Sequence, residues 1–145
     1  MKLSWYGHYI YLIPQAHCRQ ERDPFILVLI DGDGMIFDDR LICQGEAGGK
    51  EAAALLSAAV AANVEQIMPT LRSDYKILTR LYANSRGLGE ACYHAGVLPY
   101  PSLMEDFARG FTGKHLFFDF IDVGSGKDRA DDKLSGEYPA VCLQV

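Results

Sequence analysis

The sequence predicts a three-layer α/β domain in which helices cover both faces of a parallel β-sheet. Three observations support this fold class. Residues 25–30 form an uninterrupted apolar run, which is typical of a strand buried on both faces. Further apolar runs follow near residues 77–82 and 115–122, and segments with helical spacing separate the three runs. Such alternation indicates parallel strands joined by right-handed crossovers.

The chain is long enough for one domain. It has 145 residues, of which 49% are hydrophobic and 23% are charged, as in ordinary globular proteins. We divide it into an N-terminal extension (residues 1–24), an α/β domain (residues 25–138) and a C-terminal tail (residues 139–145). Gly7 and His8 interrupt the apolar start, so we expect an extension that docks on the domain or is poorly ordered, and no membrane span or membrane partner.

The first predicted strand runs directly into Asp31-Gly32-Asp33-Gly34. Ligands of open α/β sheets bind beyond the carboxyl ends of such strands. Glycine allows a sharp turn and the close approach of a ligand. Two carboxylates at a strand end suit a divalent cation or a covalent phosphoryl intermediate. The structural alternative is a turn built from Asp and Gly, which are both common turn residues.

The middle of the chain predicts three helices and one strand. Residues 51–64 are rich in alanine and leucine at helical spacing. Lys76–Tyr82 has the apolar character of a strand, and residues 83–87 follow it as a polar turn. Two short helices are expected at Leu88–Ala95 and Ser102–Arg109, and Ser102 is a plausible cap for the second.

The third apolar run ends in a segment rich in glycine and carboxylates. If the three strands are parallel, the loops at residues 31–34, 84–87 and 122–132 meet at one edge of the sheet. Converging carboxylates from separate strand ends form metal sites for phosphodiester chemistry. Acidic residues also favour helix N-termini, which is the alternative explanation of this cluster. The carboxylates are Asp122, Asp128, Asp131 and Asp132.

Composition and spacing exclude several other sites. The net charge of −5 argues against a general electrostatic grip on nucleic acid, although it leaves a locally basic groove open. No Cys-x-x-Cys pair is present, so a zinc site is not expected. The four cysteines are expected to be free, mostly buried thiols of an intracellular protein, cytoplasmic or nuclear. The glycine-rich segments at residues 45–50 and 124–127 lack the spacing of a Walker phosphate loop.

Several motifs in order resemble the conserved uncharacterised domain of fungal CCCH zinc-finger proteins. They cover roughly residues 25–135 and comprise Leu27–Phe37, Gln44–Gly49, Arg80–Asn84, Phe107–Thr112, Phe118–Lys127 and Ala130-Asp131. That domain looks like a member of the NYN/PIN-like nuclease superfamily. The resemblance implies a parallel sheet with acidic residues that hold Mg²⁺ or Mn²⁺ at the strand ends. It implies Asp31, Asp33 and Asp131 as catalytic residues and metal ligands, and Asp122 is expected beside them as a further ligand.

The resemblance also implies partners and a limit on activity. Single-stranded RNA is the expected substrate. Family members continue with another strand and an Asp-bearing loop, whereas this sequence ends soon after Tyr138. We therefore expect an incomplete domain with at most weak nuclease activity, and an exposed sheet edge open to a protein partner or a second copy.

Two other functions stay open at this point. A hydrophobic strand followed by Asp-x-Asp-Gly resembles the first motif of haloacid-dehalogenase-type phosphatases, in which Asp31 would be the nucleophile and Asp33 the general acid. Met35 stands where that motif usually has Thr or Val. The third hypothesis is a module without catalytic activity that binds RNA or protein.

Overall fold

The computed structural model describes residues 2–5, 8–14, 25–33, 37–71 and 74–125. In these residues the strands are β1 (Lys2–Trp5), β2 (His8–Pro14), β3 (Phe25–Asp31), β4 (Lys76–Ala83) and β5 (Phe118–Asp122). The helices are α1 (Asp39–Ile42), α2 (Glu46–Ile67), α3 (Ser85–His94) and α4 (Leu103–Lys114). The described strands form one sheet in the order β1-β2-β3-β4-β5.

Strands β3, β4 and β5 are parallel, as the sequence predicts. Leu27 lies opposite Leu78 in the first pair, and Leu81 lies opposite Phe120 in the second. The α/β fold class is therefore confirmed. The N-terminal extension adds two strands that the sequence analysis did not assign, because β1 pairs antiparallel with β2, and β2 pairs antiparallel with β3.

Strand β3 is buried on both faces, since all residues of Ile26–Ile30 are buried. Val28 and Leu81 lie on one face and pack in a cluster with Phe107 and Phe111 of α4. A second cluster includes Leu27, Leu29, Tyr82 and Val123. This double burial explains why β3 is a continuous apolar run rather than an alternating one.

Helices α2 and α4 are in direct backbone contact where glycines face each other. A Cβ atom added to Gly49 would lie 2.0 Å from the carbonyl oxygen of Phe107, and one added to Gly110 would lie 2.0 Å from that of Glu46. The alanine- and leucine-rich pattern predicted a helix from Glu51, and glycine is unfavourable in helix interiors. The helix begins at Glu46 instead, since tertiary packing requires glycine at this contact.

Strand β5 is the last strand of the described sheet, and neighbouring groups satisfy part of its outer edge. The N–H of Phe120 donates to Thr112 Oγ1 at 2.9 Å, and the N–H of Phe118 donates to the His115 carbonyl at 3.2 Å. The N–H of Val123 donates to the Ala83 carbonyl of β4. Because the backbone groups of successive strand residues point in alternate directions, those of Phe118 and Phe120 point away from β4. Covering an edge in this way limits the addition of further strands. A partner at this edge stays a prediction.

Candidate functional site

Carboxylates and the start of α3 meet at the carboxyl edge of the parallel strands. Asp31 is the last residue of β3, and Asp122 is the last residue of β5. Asn84 follows β4 directly, and α3 begins after it. Because the three strands are parallel, these ends lie at the same edge of the sheet. The structure thus places Asp33 and Asp122 at the start of α3, and Asp31 at the same edge of the sheet.

Two adjacent backbone amides hold two of the carboxylates. Asp33 Oδ1 accepts the N–H of Asn84 at 2.7 Å. Asp122 Oδ1 accepts the N–H of Ser85 at 3.2 Å and that of Gly124 at 3.1 Å. Unpaired amides at a helix start carry partial positive charge, which favours nearby anions. The first turn of α3 therefore sets where these two side chains sit relative to each other.

A side-chain cap explains why α3 starts earlier than the sequence predicts. Asn84 Oδ1 accepts the N–H of Gly87 at 2.9 Å, which is an ordinary N-cap interaction. The sequence pattern predicted a turn at residues 83–87 and a helix from Leu88. The structure corrects this boundary, because the helix begins at Ser85. The amides of that first turn, which the sequence analysis did not select, link the separate acidic loops.

The Asp31–Asp33 turn lies against β4. Asp31 Oδ1 accepts the N–H of Asp33 at 3.2 Å, as in an Asx turn. Between them Gly32 is buried and donates its N–H to the Tyr82 carbonyl at 2.7 Å. The sequence pattern predicted that this glycine allows a sharp turn. The φ angle of Gly32 is not positive, unlike that of Gly45. Glycine is needed here because residues of β4 occupy the space that a side chain would fill.

The donor set fits a hard cation in part. Carboxylates are ligands that Mg²⁺ and Mn²⁺ favour, and a carboxylate that accepts one or two N–H groups retains acceptor sites. Within the part of the chain that the structure describes, no three His, Cys, Asp or Glu side chains lie close enough to hold one ion. Strand alternation accounts for this, since Asp31 shares the face of Leu29 whereas Asp122 shares that of Phe120.

Mg²⁺ is often bound by one or two carboxylates together with water and substrate phosphates, so a set of two adjacent aspartates is compatible with it. Asp131, which the sequence analysis assigns as catalytic residue and metal ligand, lies outside the described residues. The same holds for Asp128 and Asp132.

The two described cysteines do not form a second site. Cys43 is exposed, which corrects the expectation of buried thiols at that position, and Cys92 is partly buried. Burial raises the pKa of the Cys92 thiol, and the negative charge of Asp39 raises it further. A thiol with a raised pKa is a poor nucleophile at neutral pH.

Among the described helices, none has the length and apolarity needed to cross a membrane.

Comparisons with known proteins assign a family. No curated protein and no solved structure matches this chain. A family model described as Domain of unknown function (DUF7923) matches residues 20–141, which include β3 to β5, all four described helices and the candidate site. The chain therefore belongs to the DUF7923 family.

Proposed function

We propose that this protein is a metal-dependent nuclease-like domain that cleaves single-stranded RNA at the carboxyl edge of its parallel sheet. One observation carries the proposal: Asp33 and Asp122, from separate strand ends, are held by the adjacent amides of Asn84 and Ser85. Asp31 joins them through the Asx turn with Asp33. Carboxylates that follow two parallel strands lie where open α/β sheets bind their ligands, and this placement supports a role beyond turn formation.

Each residue has a distinct task in this proposal. Asp31 and Asp33 supply oxygen ligands from a single turn, in the mode in which Mg²⁺ uses two carboxylates. Asp122 is held across the start of α3, where it orients water or a further ligand. A bound Mg²⁺ or Mn²⁺ would neutralise phosphate charge and activate water. Asp131 enters the proposal through the family resemblance of the sequence alone.

The net charge of −5 sets an expectation for RNA binding. A negatively charged domain has little general attraction for a polyanion, so affinity for RNA must depend on the cation or on local contacts. Binding should therefore require Mn²⁺ or Mg²⁺ and weaken when a chelator removes the ion. RNA binding that is equally strong with and without the ion would instead support a module without metal chemistry.

The test measures metal binding and cleavage with the same variants. Titration calorimetry with Mn²⁺ should give an affinity at least about tenfold weaker for Asp31→Asn and for Asp33→Asn, because each loses a charged ligand. Incubation of the wild-type chain with single-stranded RNA and Mn²⁺ should give weak cleavage that Asp31→Asn abolishes. Glu65→Gln is the matched control. It removes the same charge from an exposed site near the end of α2, which leads to the opposite edge of the sheet.

The outcomes separate the candidate functions. Equal Mn²⁺ affinity in Asp31→Asn and the wild type would overturn the metal site. Hydrolysis of p-nitrophenyl phosphate that depends on Asp31, without RNA cleavage, would favour the phosphatase instead. In that reaction the Asp31 carboxylate would form a bond to phosphorus while the ester P–O bond breaks, and Asp33 would give its proton to the leaving oxygen.

A further inference from the structure

We propose that Gly32 is a positioning residue for the Asp31 and Asp33 carboxylates, because its missing side chain lets their turn lie against β4. The role in metal binding rests on the proposed function. The structural part of the inference concerns the hydrogen bond between Asp33 and Asn84, which exists whether or not a cation binds.

The contacts around Gly32 leave no room for a side chain. A Cβ atom at this position would lie 2.6 Å from Leu81 Cδ2, 2.8 Å from Ala83 Cβ and 3.0 Å from the Tyr82 carbonyl oxygen. The first two distances are shorter than real Cβ contacts allow. Leu81 Cδ2 ends a flexible side chain, but the Cβ atom of Ala83 is fixed to the backbone, so the turn or the strand would have to move. The Gly32 N–H donates to that same carbonyl at 2.7 Å, so any movement away from β4 weakens this bond.

Movement of the Asp31–Asp33 turn would displace the Asp31 and Asp33 carboxylates but not the Asp122 carboxylate. Asp33 follows Gly32 and accepts the N–H of Asn84, the residue after β4. Moving the turn away from β4 therefore stretches that bond. Asp122 accepts the N–H of Ser85 from its own strand, β5, which does not contain the displaced turn. The effect of an alanine at Gly32 should therefore be selective within the site.

A second buried glycine supplies a matched control. Gly110 lies in α4, and a Cβ atom there would meet the Glu46 carbonyl oxygen at 2.0 Å. Gly110→Ala thus introduces a backbone clash between α2 and α4, outside α3 and the Asp31–Asp33 turn. Two of the three atoms that crowd Gly32 belong to the side chains of Leu81 and Ala83. Ala83→Gly removes one of these two contacts and provides a partial rescue variant.

The experiment compares three variants with the wild type: Gly32→Ala, Gly110→Ala and Gly32→Ala/Ala83→Gly. Gly32→Ala should weaken Mn²⁺ affinity by about tenfold, the size found when groups that orient metal ligands are lost. In ¹⁵N-resolved NMR spectra it should shift the Asn84 amide more than the Ser85 amide. Gly110→Ala should lower the unfolding temperature but leave the Mn²⁺ affinity and the Asn84 amide unchanged. The double variant should recover part of the Mn²⁺ affinity, which is its only readout because residue 83 directly precedes Asn84.

Each outcome decides the inference. If Gly32→Ala behaves like Gly110→Ala, with unchanged affinity and an unchanged Asn84 amide, Gly32 only allows packing and the proposal is overturned. If the wild type does not bind Mn²⁺, the proposed function fails, and the Asn84 amide alone decides whether Gly32 positions Asp33. If Gly32→Ala does not fold, Ala83→Val, which enlarges the same contact from β4, replaces it in the measurement of Mn²⁺ affinity.

Discussion

Alanine at Gly110 is expected to destabilise the protein, whereas alanine at Gly113 of the same helix is expected to stabilise it. The added Cβ atom at Gly110 would lie 2.0 Å from the Glu46 carbonyl oxygen, and the next two contacts are also backbone atoms of Glu46. A normal C···O contact is about 3.3–3.6 Å, so α2 and α4 would have to separate by roughly 1 Å or more. The added Cβ atom at Gly113 would have nothing within 4 Å.

The expected change in the free energy of unfolding of Gly110→Ala is the difference between two opposing effects. Overpacking in a core typically costs about 1–3 kcal/mol, and the upper end applies because backbone atoms cannot rotate away. Phe107 and Phe111, both fully buried on α4, would lose packing as the helices separate. Alanine recovers about 1 kcal/mol in helix propensity, which leaves a net loss of about 2 kcal/mol for Gly110→Ala. Gly113→Ala has only the favourable effect, about 0.5 kcal/mol near a helix end.

Urea unfolding followed by circular dichroism measures both changes. With a slope of about 2 kcal/mol per molar urea, the Gly110→Ala midpoint should fall by about 1 M, and the Gly113→Ala midpoint should rise slightly. Both variants carry the same chemical change in one helix, so helix propensity alone predicts the same sign for both. A stabilising or neutral Gly110→Ala would show that α2 and α4 are not in backbone contact.

Two further predictions concern single side chains. Thr79 is fully buried, and its hydroxyl has no hydrogen-bond partner among the described residues. Thr79→Val should therefore stabilise the protein by about 1 kcal/mol, as measured by urea unfolding. A loss of stability would reveal a partner for that hydroxyl. Hydrogen bonds from the Arg40 guanidinium and the Arg40 amide lower the pKa of Asp38 from 3.8 to about 2. Because the folded-state pKa is lowered, the stabilising contribution of Asp38 is present above pH 4 and is lost as the pH falls towards 2. An NMR titration of its carboxyl carbon should show a midpoint near 2 that rises in Arg40→Gln, and a wild-type midpoint near 3.8 would contradict the assignment.

The local sequence pattern was sufficient to predict strand β3 and the body of helix α2. The apolar run at residues 25–30 predicted β3, because a strand covered on both faces has no polar positions. The alanine- and leucine-rich segment predicted the body of α2, where helix propensity and packing agree. Asp31 and Asp33 were selected for a similar reason, since carboxylates directly after a buried strand stand out from the residues before them.

The tertiary structure decided what depends on residues far apart in the chain. Asp33 meets the amide of Asn84 across 51 positions, and Ser85 meets Asp122 across 37. No local period encodes those contacts, which follow from the order and register of the parallel strands. The start of α2 at Glu46 and the need for glycine at Gly32 have the same origin. In both places glycine is required by the space that another segment occupies, and this space exists only after the chain has folded.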